Sequence, residues 1–119
     1  MTVNEALTRA AESIGDTVPR EKLLIWLSEI EDTVDREIAA THAGCRRGTD
    51  VHSDGDAELS VPDPQSEVYI LYMQMKYDLM MHDTEQYNNS APAFAAAYST
   101  YADSVNRSFM PHGTATVTL

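Results

Sequence analysis

The chain has 119 residues, one cysteine, and 8 basic against 19 acidic side chains, a formal net charge of −11. That length suits one domain burying roughly two-thirds of its unfolded surface, and the lone Cys45 excludes an internal disulfide. An acidic field repels phosphate backbones, so ordinary nucleic-acid binding is not expected; no apolar run reaches the ~18 residues of a membrane span, and MTVNEAL lacks the features of a signal peptide, so a cytoplasmic origin is expected.

The pattern predicts four helices, over about 3–14, 20–41, 65–82 and 85–107. In the first, Val3, Leu7, Ala10 or Ala11, and Ile14 share one side. Asn4 or Thr2 can cap it, and Gly15-Asp16 stops it. Pro19 opens the second, where a missing N–H costs nothing in the first turn. Leu23, Leu27, Ile30, Val34 and Ile38 form its core stripe, widened by Leu24 and Trp26. From Arg20 to Thr41 it would run about 33 Å.

Residues 42–64 hold three glycines, two prolines and no helical period. Asp54-Gly55 between Thr49–His52 and Glu58–Val61 is a strong hairpin signal, so a protruding β-hairpin or ordered loop is expected.

The third and fourth helices carry stripes of Val68, Tyr72, Met75, Leu79, His82 and of Tyr87, Ala91, Phe94, Tyr98, Tyr101, Val105. They predict an antiparallel helical hairpin joined at His82-Asp83-Thr84, with Tyr72, Met75, Leu79, Tyr87, Phe94, Tyr98 and Tyr101 in the core. Pro92 either kinks one long helix or follows a new N-cap at Ser90; the phase of Tyr87 favours one kinked helix. Tyr69, Ile70, Met73, Tyr77 and Met80 are also apolar but lie off the stripe of the third helix. A helix apolar on two sides is buried on two sides, so these five are expected at a subunit interface. Residues 108–119 should form a flexible, extended tail, whose Thr114–Leu119 segment has strand propensity and could add to a neighbour's sheet edge. The fold class is therefore all-α, a four-helix domain with an inserted loop or hairpin.

Chemistry is sparse. His42, Cys45 and His52 are close in sequence, but their spacing fits no zinc pattern and a fourth ligand is missing. No phosphate-binding, zinc-protease or serine-hydrolase motif is present. No catalytic residue, metal or cofactor is expected, and the reading is of a non-enzyme.

Three blocks resemble the small α-helical head–tail connector proteins, also called head-completion or neck adaptor proteins, of long-tailed phages and prophages. They are MTVNEAL with LLIWLSEIEDTVDREIAATHAG, then LSVPDPQSEVYILYMQMKYDLMMHD, then TEQYNNSAPAFAAAYSTYADSVNRSFMPHG. The order WLSEIE, VPDPQSEVY, EQYNNS, YADSVNR carries the resemblance. Pro92 and the terminal TATVTL depart from it. The resemblance implies a virion structural protein assembled in the host cytoplasm: a ring of identical subunits, dodecameric, between the portal and the next neck or tail protein. Such a ring extends the DNA channel, and DNA passes through its lumen without specific binding. The composition also fits an acidic DNA mimic or helical inhibitor that occupies a host nucleic-acid-binding protein. A mimic should array its carboxylates along one exposed face.

Overall fold

In the computed structural model, which describes residues 1–110, Thr2 opens helix α1 (Val3–Ile14) with a capping box. The Glu5 N–H donates to Thr2 Oγ1 and the Thr2 N–H to Glu5 Oε1, both at 3.1 Å. Asn4, the other candidate cap, uses its amide elsewhere, on Arg20 and Asp56. Gly15 takes φ 99°, a left-handed value that ends the helix where a side chain would be strained.

Helix α2 (Arg20–Glu37) is shorter than expected and gives way to a 3-10 turn at Ala39–Thr41. Its last carbonyls find other partners. Thr41 Oγ1 donates to the Glu37 and Ile38 carbonyls, and His42 Nδ1 bonds to the Ile38 carbonyl at 2.8 Å. Leu23, Trp26, Leu27, Ile30, Val34 and Ile38 are all buried, as their period requires.

The expected β-hairpin insertion is absent: the described residues contain no strand, only an isolated bridge from Thr2 to Glu58. The segment packs on the domain instead of protruding. Cys45, Val51, Leu59 and Val61 are buried core residues that a protruding hairpin would expose. Its backbone pairs with the N-terminus: Val3 N–H donates to Ala57 O, Asn4 N–H to Gly55 O and Leu59 N–H to Met1 O. The tight hairpin turn that Asp-Gly favours needs positive φ at both central residues, and neither Asp54 nor Gly55 has it. Asp54 Oδ1 accepts the Asp56 N–H and closes a side-chain turn there.

Helices α3 (Glu67–Met80) and α4 (Thr84–Ser108) form the antiparallel hairpin. Asp83 caps α4 by accepting the Gln86 N–H, and the helix continues through Pro92 without restarting at Ser90. Tyr101 is buried, while Tyr72, Met75, Tyr87, Phe94 and Tyr98 are half-buried.

The subunit-interface assignment is corrected here. Tyr69 and Met73 are fully buried inside the subunit, Ile70 is buried too, and Tyr77 is half-buried against the same core. Only Met80 of the five is exposed. Three helices surround α3. Tyr69 reaches Glu31 of α2, Arg9 and Ser13 of α1 reach Glu67 and Gln74, and Tyr72 meets Phe94 of α4 edge-on with centroids 5.2 Å apart. Both apolar sides of α3 are thus covered by its own chain. Leu79, expected in the core, is 52 % exposed in the last turn of α3, beside the turn into α4. At the other end, Phe109 lies over Gly44 and the Ala43 N–H donates to Met110 O. The rest of the flexible tail expected over 108–119, including the Thr114–Leu119 segment with strand propensity, falls outside the described residues.

Candidate interaction surface

Glu31 fixes the frame on which any surface must stand. It lies four residues after Leu27 and three before Val34, within the buried stripe of α2, and is fully buried. Its Oε2 accepts the Thr49 and Ser60 N–H groups at 3.0 and 2.8 Å. Its Oε1 accepts the Ser60 hydroxyl at 2.8 Å and the Tyr69 hydroxyl at 2.7 Å. Tyr69 in turn accepts the Val61 N–H at 2.8 Å. One carboxylate therefore fastens α2, α3 and two stretches of the inserted segment, satisfying backbone groups that would otherwise be buried unpaired. Burial, then the neighbouring Glu31 charge, pushes the Tyr69 hydroxyl well above its ordinary titration range, so it stays a donor.

The second anchor is near the surface. Asp35 accepts from Arg47 Nε and Nη2 at 2.6 and 2.9 Å and from the Gly48 N–H at 2.7 Å. Those bonds, Arg47 foremost, hold its carboxyl down at about 2.

The turn between α3 and α4 leaves apolar side chains exposed. Asp83 N–H bonds back to Asp78 O and His82 N–H to Leu79 O, with His82 at φ 55°. This is a Schellman end in which a histidine takes the left-handed position that glycine usually fills. The arrangement turns Leu79, Met80 and Met81 outward at 52 %, 39 % and 56 % exposure. Beside them Lys22, Trp26 and Lys76 join Leu79 and Met80 around an open recess of about 210 Å³. Lys22 sits 5.9 Å from the Trp26 ring and Lys76 5.9 Å from the Tyr72 ring, and Lys76 also pairs with Glu29 at 3.5 Å. Burial and the bond to Glu29 raise the Tyr72 hydroxyl to about 12. Ile25, 53 % exposed, lies three residues from Lys22 on α2.

Other recesses carry less. One, about 650 Å³, is an open cleft between α1 and the start of α2 that includes Leu7, Glu12, Asp16 and Arg20. Cys45 and Tyr101 border a 370 Å³ groove beside Val105 and Phe109. His42, Cys45 and His52 are not brought together. The His42 ring bonds to Ile38 O and Asn106 Oδ1, Cys45 lines the groove, and His52 is exposed beside Asp50. Among the described residues no three metal-ligating side chains gather, and no helix is long and apolar enough to cross a membrane.

Reading the sequence missed Glu31, Leu59, Val61 and the outward turn of Leu79 and Met81 at the tip, where Met80 alone was expected on the outside. The first had a usable signal, since 27, 31, 34 and 38 repeat the apolar period with a carboxylate in it. The tip had none, because an outward turn of apolar residues reads like any other part of a greasy helix. No protein family, curated protein or solved structure matches this chain.

Proposed function

We propose that this chain is a structural subunit of a virion neck. Copies of it assemble into a ring, dodecameric in the virion, between the portal and the tail. The ring extends the DNA channel and offers the surface to which the next neck or tail protein attaches. The role is architectural and not catalytic, and the site of action is the virion after assembly in the host cytoplasm.

The observation that carries this reading is how the resembling blocks meet. WLSEIE ends on Glu31 and VPDPQSEVY ends on Tyr69, and these two side chains share the buried hydrogen bond at the centre of the domain. YADSVNR supplies Tyr101 and Val105, both buried in the same core. The blocks thus act as one structural unit, as a shared fold would require. The net charge of −11 suits a channel along which DNA slides without sticking. With Tyr69, Ile70 and Met73 inside the subunit, the ring contact moves to the exposed tip of the α3–α4 hairpin.

The DNA-mimic alternative draws less support. Glu31 and Asp78 are buried, and Glu29, Asp35, Glu58 and Glu67 hold cations of their own chain, so many carboxylates are unavailable for a phosphate-like array. Deleting the gene from its phage tests the proposal. The expected result is DNA-filled or leaking heads beside unattached tails; complete infectious particles would contradict it.

A further inference from the structure

We propose that the recess of Lys22, Trp26, Lys76, Leu79 and Met80 receives the acidic turn at Asp50–Asp56 of a second copy of this chain, which makes the contact between neighbours front to back. The inference rests on the ring reading and names its two faces.

The recess combines exposed apolar surface with positive charge on a strongly negative molecule. Two of the chain's eight basic side chains border it. Lys22 lies over the Trp26 ring and pairs with no carboxylate among the described residues. At about 210 Å³ it has room for a side chain or two, less than the ~300 Å³ at which small-molecule pockets begin. A protruding segment of a partner suits it better than a free ligand.

The acidic turn is the complementary piece. Asp50, Asp54 and Asp56 are exposed, and none pairs with a cation among the described residues. Asp50 accepts the His52 N–H, Asp54 the Asp56 N–H, and Asp56 the Asn4 amide. These bonds, with the backbone pairing to Val3 and Asn4, hold the turn in one shape, so little ordering cost attends its docking.

The two faces point in different directions. At 100° per residue, Lys22 and Trp26 lie about 130° around α2 from Ser28, Asp32 and Asp35, the residues that line the cleft with Gly48–His52. A contact between unlike patches is heterologous, and it closes into a ring when the rotation allows. Each carboxylate that meets Lys22 also relieves the repulsion between two chains of charge −11.

Reversing charges one face at a time tests this. Lys22→Glu and Asp54→Lys are exposed changes, and circular dichroism checks that each variant folds. Self-association is then followed by sedimentation velocity on the free chain, and by binding stoichiometry on the cognate portal. Net charge alone predicts opposite effects, since Lys22→Glu makes the chain more acidic and Asp54→Lys less so. Face-to-face docking predicts that each variant alone weakens association about tenfold and that an equimolar mixture, in which the variants alternate, recovers it to within about threefold. Association that is unchanged in both variants, or stronger with Asp54→Lys, overturns the assignment of faces while leaving the ring intact. A wild-type chain that is monomeric both free and with the portal overturns the ring reading itself.

Discussion

Replacing Glu31 probes the centre of the domain. In Glu31→Ala four donors lose their acceptor: the Thr49 and Ser60 N–H groups and the Ser60 and Tyr69 hydroxyls. A bond to a charged group is worth about 1.5–3 kcal/mol, and a buried unpaired donor costs about 1–3 kcal/mol. With some water entering the cavity, we expect a loss of about 4–6 kcal/mol, against a total stability of roughly 5–15 kcal/mol for a domain this size. Glu31→Gln should be far milder. Its carbonyl oxygen can accept the Thr49 and Ser60 N–H groups while its NH₂ donates to the two hydroxyls, which reverse direction. Tyr69 then accepts from both Val61 and the new amide, and the Tyr69 and Ser60 hydroxyl protons both lose their acceptor, a cost of about 1–3 kcal/mol. Urea unfolding followed by the fluorescence of Trp26, the only tryptophan and a buried one, measures both. A loss below about 1.5 kcal/mol for the alanine variant, or equal losses for both, would refute the reasoning.

Asp35→Asn should cost no more than about 1 kcal/mol at neutral pH, because Arg47 is 65 % exposed and the pair is screened. The Asp35 carboxyl is held at about 2 against an ordinary 3.8, so its contribution is present above pH 3.8 and is lost as pH falls toward 2; urea midpoints of the two proteins should converge over that window, and a gap that widens there would contradict the assignment. His82→Gly should stabilise the fold by about 1 kcal/mol, since a side chain at φ 55° carries left-handed strain that glycine lacks; thermal unfolding reads this, and a lower midpoint would count against it. Ser90→Ala should gain up to about 1 kcal/mol, because the Ser90 hydroxyl is buried without a hydrogen-bond partner and alanine is the better helix former; destabilisation would mean that the hydroxyl has a role.

The helical framework was legible because it is written in local terms. Thr2, Gly15 and Pro19 bound α1 and α2 through backbone chemistry that depends on near neighbours alone. The buried stripe of α2 follows from its period. What escaped was set by distant parts of the chain. Periodicity shows that α3 is apolar on two sides, yet it cannot say what covers the second. Tyr69 and Met73 read as surplus surface until α1 and α2 are seen to close over them. Asp54-Gly55 reads as a hairpin turn because the dipeptide favours one, but burial of Leu59 and Val61 and the pull of Glu31 on Thr49 and Ser60 outweigh it. Leu79 fits the core stripe in phase and misses the core in space, since it sits in the last turn of α3, where the chain turns back into α4.

Ring assembly on the portal is tested most directly by negative-stain microscopy of the purified protein mixed with its cognate portal. An added layer of density around the portal stem, following the symmetry of the portal and open at its centre, is the predicted result. A bare stem at saturating protein, or a single globule bound off the axis, would contradict the annular role.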